Sequence, residues 1–312
     1  MMKWNYDFEV PEQKKIRMIV HTDCKNEADD QFALAHHVMT PKFIVKGIVG
    51  GHFNMYPREY GEGNTAKASV DEINKVLDLM GLNGVYPVLE GAPRALANES
   101  TPIQSPAVDF IIEEAMKDDD RPLFISMLGA ITDLAAAILL KPEICQKMTA
   151  IWIGGGQYPE GEDEFNCKQD IAAANVVMKS EMPLWQVPKN VYKQMAVSLA
   201  ELQVRVKPYG KIGKYLFEQM VDFNMKTAHI PHWPHGEIWG LGDSPTISVL
   251  MEESEKTDIY DLIHAPNIRY DDLKYEHNTV NRKIRVYKAV NVRLCMEDFY
   301  AKLMINFPNQ DS

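Results

Sequence analysis

The stretch KIRMIVHTDCKNEADDQFALAHHVM, residues 15–39, repeats in miniature what the rest of the chain does. Its first part, KIRMIVH (15–21), is an apolar run of strand length. A polar segment, TDCKNEA (22–28), follows, and DDQFALAHHVM (29–39) reads as a helix opening on two acids. The apolar positions are continuous rather than alternating, as a parallel strand covered on both faces requires. The rhythm returns downstream. FIVKGIVGG (43–51) is a second strand, residues 65–80 have helical periodicity, VYPVLEG (85–91) is a third strand and PAVDFIIEEAMKD (106–118) a helix. PLFISML (122–128), ITDLAAAILL (131–140) and TAIWIGGG (149–156) continue it, and IAAANVVMKS (171–180) leads to PLWQVP (183–188). With no linker between these units, the pattern predicts one α/β domain over residues 1–312, built on a doubly wound, mostly parallel open sheet. A C-terminal strand and helix over 280–306 close it, with no chemistry assigned to them.

Composition narrows the function. The chain has 312 residues, 46% of them hydrophobic, enough to bury a large core. Its 44 acidic against 33 basic residues give a formal charge of -11, which repels phosphate backbones and anionic lipid. No apolar run approaches the ~18 residues of a membrane span. The start, MMKWNYDFEVPEQKK, lacks the apolar stretch of a signal peptide. Cys24, Cys145, Cys167 and Cys295 have neither metal nor disulfide spacing, so reduced thiols in a cytoplasmic protein are expected.

Open α/β sheets bind ligands at the carboxyl ends of their strands. Acids gather at those ends here. Asp23 follows the first strand, and Asp29 and Asp30 start the next helix. Glu164 and Asn166 follow the Gly154–Gly156 turn, and Asp243 precedes a helical stretch in WGLGDSPT. Each has an ordinary explanation: paired acids compensate a helix dipole, a glycine run makes a tight turn, and Asp before Ser-Pro can cap a helix.

Together and in this order, the segments resemble the inosine–uridine-preferring nucleoside hydrolase family from about Ile16 to Leu250. That family begins with a strand, Asp-x-Asp-Pro-Gly-x-Asp-Asp and an apolar helix, matched by His21 to Asp30. Its second motif is matched by Met127-Leu128-Gly129-Ala130-Ile131-Thr132-Asp133. Its third is matched by Ile151 to Gly156, Glu164-Phe165-Asn166 and Asp170-Ile171-Ala172. The resemblance implies Ca²⁺-dependent hydrolysis of a ribosyl N-glycosidic bond in a small-molecule riboside, by a homodimer or homotetramer. It implies Asp23 as general base and calcium ligand, with Asp30, Asp243 and the Leu128 carbonyl completing the protein ligands. Asp29, Asn54, Ile153, Glu164 and Asn166 would contact the sugar. The chemistry suits these residue types. Calcium prefers six to eight oxygens, and carboxylates stabilise the oxocarbenium-like charge that develops on the sugar.

The departures are specific. Asp-Pro-Gly is absent, His21 replaces the leading acid, and the loop from Asp23 to Asp29 is two residues longer than the family's. Gly242 stands where purine-acting relatives carry a His that protonates the leaving base. His229, His232 and His235 on a loop just upstream are candidate replacements, and Trp239 is another. Two other classes fit parts of the pattern: an Mg²⁺-dependent phosphohydrolase with Lys189 as partner to Asp23, and a non-catalytic pentoside-binding protein.

Overall fold

Strand β1 (Ile16–Thr22) is buried along its whole length, as its unbroken apolar run demands. Alternate residues serve opposite faces: Met18 and Val20 pack into one hydrophobic layer and Ile19 into the other. Arg17 is tolerated inside because its guanidinium donates to the carbonyls of Glu114, Asp119 and Arg121. The computed structural model describes residues 4–233, 236–252 and 256–309.

Strands β2 (Phe43–Gly50) and β3 (Val88–Glu90) extend the sheet to one side of β1. β4 (Leu123–Met127), β5 (Met148–Ile153) and β6 (Leu184–Val187) extend it to the other, all parallel. Two short strands, β7 (Ala196–Ser198) and β8 (Ile238–Gly240), form a separate antiparallel ribbon. β9 (Tyr260–His264) is the outer edge strand, and β10 (Asn267–Ile268) pairs with β11 (Tyr275–Glu276) in a second ribbon. β12 (Lys283–Tyr287) lies parallel to β6 and antiparallel to β9. The eight-stranded order is therefore β3-β2-β1-β4-β5-β6-β12-β9, mostly parallel, as the continuous apolar runs predict. β3 is shorter than VYPVLEG suggests because Pro87 has no N–H for the ladder; its carbonyl still accepts from Ile48.

Helices cover both faces. One layer takes α1 (Asp30–Met39), α2 (Thr65–Leu79), and the later helices α8 (Leu199–Arg205), α9 (Gly210–Thr227), α10 (Pro245–Met251) and α11 (Val292–Asn306). The other takes α3 (Pro106–Ala115), α4 (Thr132–Leu140) and α6 (Ile171–Lys179). Short α5 (Phe165–Gln169) and α7 (Lys189–Tyr192) sit in the connections after β5 and β6. The chain winds outward from β1 to β3 and then returns to place β4 on the other flank of β1. The crevice at the carboxyl ends of β1 and β4 is thus a topological switch point, the place where such sheets bind ligands.

Candidate functional site

Asp23 emerges at that switch point. The Asn26 N–H returns to its carbonyl at 2.7 Å, turning the chain sharply. A side chain at Gly129 would put its Cβ 2.7 Å from Asp23 Cγ, so glycine there lets the carboxylate lie against the end of β4. The lengthened loop is tied at several points. Gln31 donates to the Cys24 carbonyl at 2.7 Å and, from α9, Gln219 donates to the Ala28 carbonyl at 2.7 Å. Buried Glu72 on α2 pairs with Lys25 at 3.1 Å and accepts from Gln31 and from the Tyr215 hydroxyl of α9.

Neither Asp29 nor Asp243 makes a side-chain helix cap. Asp29 precedes α1 but makes no side-chain capping bond, and at α10 the N-cap is Ser244, not Asp243. Their oxygens turn inward instead: one from each of Asp29, Asp30 and Asp243 lie within 4.8 Å of one another. The Thr22 hydroxyl donates to Asp30. Asp23, Leu128, Ile153 and Glu27 line the same inner cavity of about 70 Å³. Opposite them, the Asn166 amide donates to the carbonyls of Leu128 (3.1 Å) and Ile153 (2.8 Å), clamping the ends of β4 and β5 together. Glu164 caps its own helix, accepting from the N–H groups of Gly155, Asn166 and Cys167 and from the Tyr192 hydroxyl.

Electrostatically this cavity is under load. Burial, then repulsion from Asp30, Glu27 and Asp29, pushes the Asp23 carboxyl far up. Burial and Asp29 raise Asp30 to about 8, and burial with Asp29 and Asp30 raises Glu27 to about 8. Asp243 rises for the same reasons. Burial lifts Asp29 to about 6, against the N–H groups of Gly242 and Asp243. Asp23 Oδ2 is buried without any hydrogen-bond partner. Hard oxygens, mutual repulsion and an orphaned carboxylate atom together fit a divalent cation.

Two larger chambers open from this cavity. One, of about 510 Å³, is walled by Tyr56, Phe165, Tyr192, Trp233 and Trp239; the other, of about 390 Å³, by Arg58, Tyr60, Tyr215 and Phe223. Tyr56 and Phe165 stack at 5.5 Å. Space for a side chain at Gly242 is tight. A Cβ there would lie 3.0 Å from the Tyr192 ring and 3.5 Å from an Asp29 oxygen. Gly242→His is therefore expected to destabilise the protein by ~1–3 kcal/mol through overpacking and to leave turnover no higher. A fully stable variant in thermal denaturation would show that Tyr192 does not occupy the space of the missing side chain.

Most of the residues singled out from sequence converge on the inner cavity: Asp23, Asp29, Asp30, Leu128, Ile153, Glu164, Asn166 and Asp243. Asn54 does not. Its amide donates to the Pro93 carbonyl and its oxygen accepts from the Gly63 N–H and Thr65 hydroxyl, so it braces the loop after β2. Among the loop histidines, His229 lines the second chamber with its ring on the Lys226 carbonyl, His232 is exposed, and His235 lies outside the described residues. Lys189 is held by Glu162 and the Asp163 carbonyl, away from Asp23. Burial raises the thiols of Cys24 and Cys167 well above their usual range. Both stay protonated, which rules out resting thiolate nucleophiles. Sequence reasoning missed Glu27 and Tyr192. The extra loop length was a signal for the first; only packing against Gly242 reveals the second.

The sequence profile described as inosine-uridine preferring nucleoside hydrolase matches residues 18–297 of the chain. The chain belongs to the inosine-uridine preferring nucleoside hydrolase family. Pyrimidine-specific ribonucleoside hydrolase RihB of Shigella flexneri is 29% identical over 200 residues, covering 63% of this chain and 56% of the relative. RihB of Escherichia coli O127:H6 is 30% identical over 169 residues, covering 53% and 49%. The matched region thus spans about half the length of these curated relatives. Among solved structures, the purine-preferring ribonucleoside hydrolase from Gardnerella vaginalis superposes with a TM-score of 0.71 at 21% identity, over 92% of this chain and 98% of that one. The inosine-uridine preferring nucleoside hydrolase from Bacillus anthracis gives 0.64 at 18%, over 93% and 99%. At those identities the likeness establishes the shared fold. Nucleoside hydrolase membership agrees with the switch-point carboxylates.

Proposed function

We propose that this nucleoside hydrolase family member catalyses calcium-dependent hydrolysis of the N-glycosidic bond of ribonucleosides or related ribosides, releasing ribose and free base. The observation that carries the reading is the convergence of Asp23, Asp29, Asp30 and Asp243 on one buried cavity at the switch point, with Asp23 Oδ2 unpartnered. Asp23, Asp30, Asp243 and the Leu128 carbonyl would hold the ion, and Asp29, close enough to join them, would contact a sugar hydroxyl. Calcium bound there supplies positive charge that holds the ribose diol and offsets the carboxylate repulsion.

The chain's own groups supply the rest. Asp23, with a free oxygen atom, takes the proton of the attacking water, a role worth ~10²–10⁴ in rate. The surrounding carboxylates stabilise the positive charge that grows on the sugar as the C1′–N bond lengthens. Ile153 and the clamped Asn166 fix the wall against which the ribose lies. RihB is named for pyrimidine ribonucleosides, which makes uridine and cytidine the first substrates to try. The proposal includes a cytoplasmic oligomer: all four cysteines are free and buried, as in a reducing compartment. No described helix is long and apolar enough to cross a membrane.

The test is a panel of nucleosides assayed for free ribose with and without a calcium chelator. Release that the chelator abolishes and calcium restores is the expected result. Tight riboside binding without release would favour a pentoside-binding protein instead. Chelator-resistant release would remove the metal from the mechanism.

A further inference from the structure

We propose that the cavity at the amino ends of β1 and β4 is a second small-molecule site, one that takes an apolar α-amino acid; it stands independently of the riboside hydrolysis proposed above. The cavity encloses about 290 Å³, with Ile16, Phe124, Trp185, Val249, Leu250 and Tyr287 among its apolar walls. Ile16 opens β1 and Asp23 follows its other end, so at ~3.3 Å per residue the two sites lie roughly 20 Å apart.

The fixed feature is Arg285 on β12, which lies between β6 and β9 in the sheet. Its guanidinium carbon is 4.0 Å from the ring centroid of Trp185 on β6 and 4.0 Å from that of Tyr260 on β9. With a ring against each face, the flat group is reached along its edge, where its N–H groups point. Those donors are almost unused. Among the described residues Arg285 makes no ion pair, and its hydrogen bond is a long one, 3.4 Å from Nη1 to the Tyr287 hydroxyl. A stack that served packing alone would need no charge. A half-buried fork with open donors fits a carboxylate, which accepts two parallel N–H bonds from it.

The second feature is Glu252, just past α10. Its side chain is only 9% exposed, yet Oε1 has no hydrogen-bond partner. Oε2 faces Lys256 at 3.4 Å, and Lys42, the remaining cation of the lining, donates to the Leu250 carbonyl. A guanidinium edge without an acid and a buried acid oxygen without a donor thus border the same cavity. An α-amino acid carries both complements on one carbon, a carboxylate for Arg285 and an ammonium for Glu252. Its apolar side chain would lie against Ile16, Phe124 and Val249.

Isothermal titration calorimetry of the full chain with L-phenylalanine, 3-phenylpropionate, phenethylamine and uracil tests this. L-Phenylalanine should bind one to one at millimolar concentration or below, and losing either charged end should weaken binding about tenfold. Neither a calcium chelator nor uridine should change its affinity. Arg285→Gln should weaken phenylalanine and phenylpropionate about tenfold each. Glu252→Gln leaves the aromatic stack in place, so it decides the matter if Arg285→Gln melts early. It should weaken phenylalanine about tenfold and phenylpropionate less than threefold. Equal losses on both ligands would make Glu252 structural and overturn the inference. Absence of phenylalanine binding overturns it outright. So does uracil or phenylpropionate binding as tightly as phenylalanine, since the site would then not read the two charged ends. Displacement of phenylalanine by uridine would place it in the switch-point crevice and overturn the second site.

Discussion

Asp23→Asn is expected to lower kcat by ~10²–10⁴, toward the upper end of what loss of a general base costs, because a proposed metal ligand loses its charge in the same change. Asparagine keeps the volume that Gly129 accommodates and keeps a hydrogen-bonding oxygen, so the fold should survive intact by circular dichroism. The metal-free variant should even be more stable than wild type near pH 8. There the wild-type carboxyl pays for burial and for repulsion from Asp30, Glu27 and Asp29, and the amide does not. Loss of activity accompanied by a lower melting temperature would mean that Asp23 is chiefly structural. Turnover at the wild-type rate would end the mechanism.

The second large effect is the dependence of stability on pH and calcium. Asp30 and Glu27 sit at about 8 and Asp29 at about 6, all raised first by burial. The unfolded chain releases these protons near pH 4. Between pH 4 and 8 the folded, metal-free protein therefore holds more protons than the unfolded chain, and its stability falls as pH rises through that window. Above about pH 8 the penalty is complete. Calcium replaces the protons with a better-matched charge, so its stabilisation should be larger at pH 8 than at pH 5. At a free concentration a hundred times its dissociation constant it adds ~2.7 kcal/mol, or roughly 4 °C in a chain of 312 residues. Differential scanning calorimetry with chelator or calcium at the two pH values measures it. A metal-free melting temperature that climbs from pH 5 to 8, with no response to calcium, would contradict the carboxylate cluster as a metal site.

Much of this was legible in the sequence because it depends on local pattern. Continuous apolar runs of strand length suit parallel strands covered on both sides, and β1 is buried at every position. An acid just beyond such a run lies at the carboxyl edge of the sheet, which is why Asp23 could be placed before any contact was known; Glu164, well past β5, was placed by the Glu164-Phe165-Asn166 motif after the glycine turn. Asn54 lies outside the inner cavity for the converse reason. Its position after β2 is local, but the direction of its amide is set by Pro93, Gly63 and Thr65, which approach through tertiary folding. Tyr192 is the harder case. Nothing around it forms a motif, and its importance arises only because α7 swings its ring over Gly242, fifty residues further along the chain.

The Glu72 carboxylate, shared by Lys25 of the metal loop, Gln31 of α1 and Tyr215 of α9, has a consequence for how the molecule opens. Loops rich in charge normally exchange their amide hydrogens through small private fluctuations. Here the loop from Asp23 to Asp29 is joined through Glu72, and again through Gln219 at Ala28, to the eighteen-residue helix that walls the second chamber. It cannot detach without lifting that helix. The loop and α9 thus belong to one cooperative unit, which keeps the carboxylates gathered before any ion arrives and leaves little chain ordering to be done on binding.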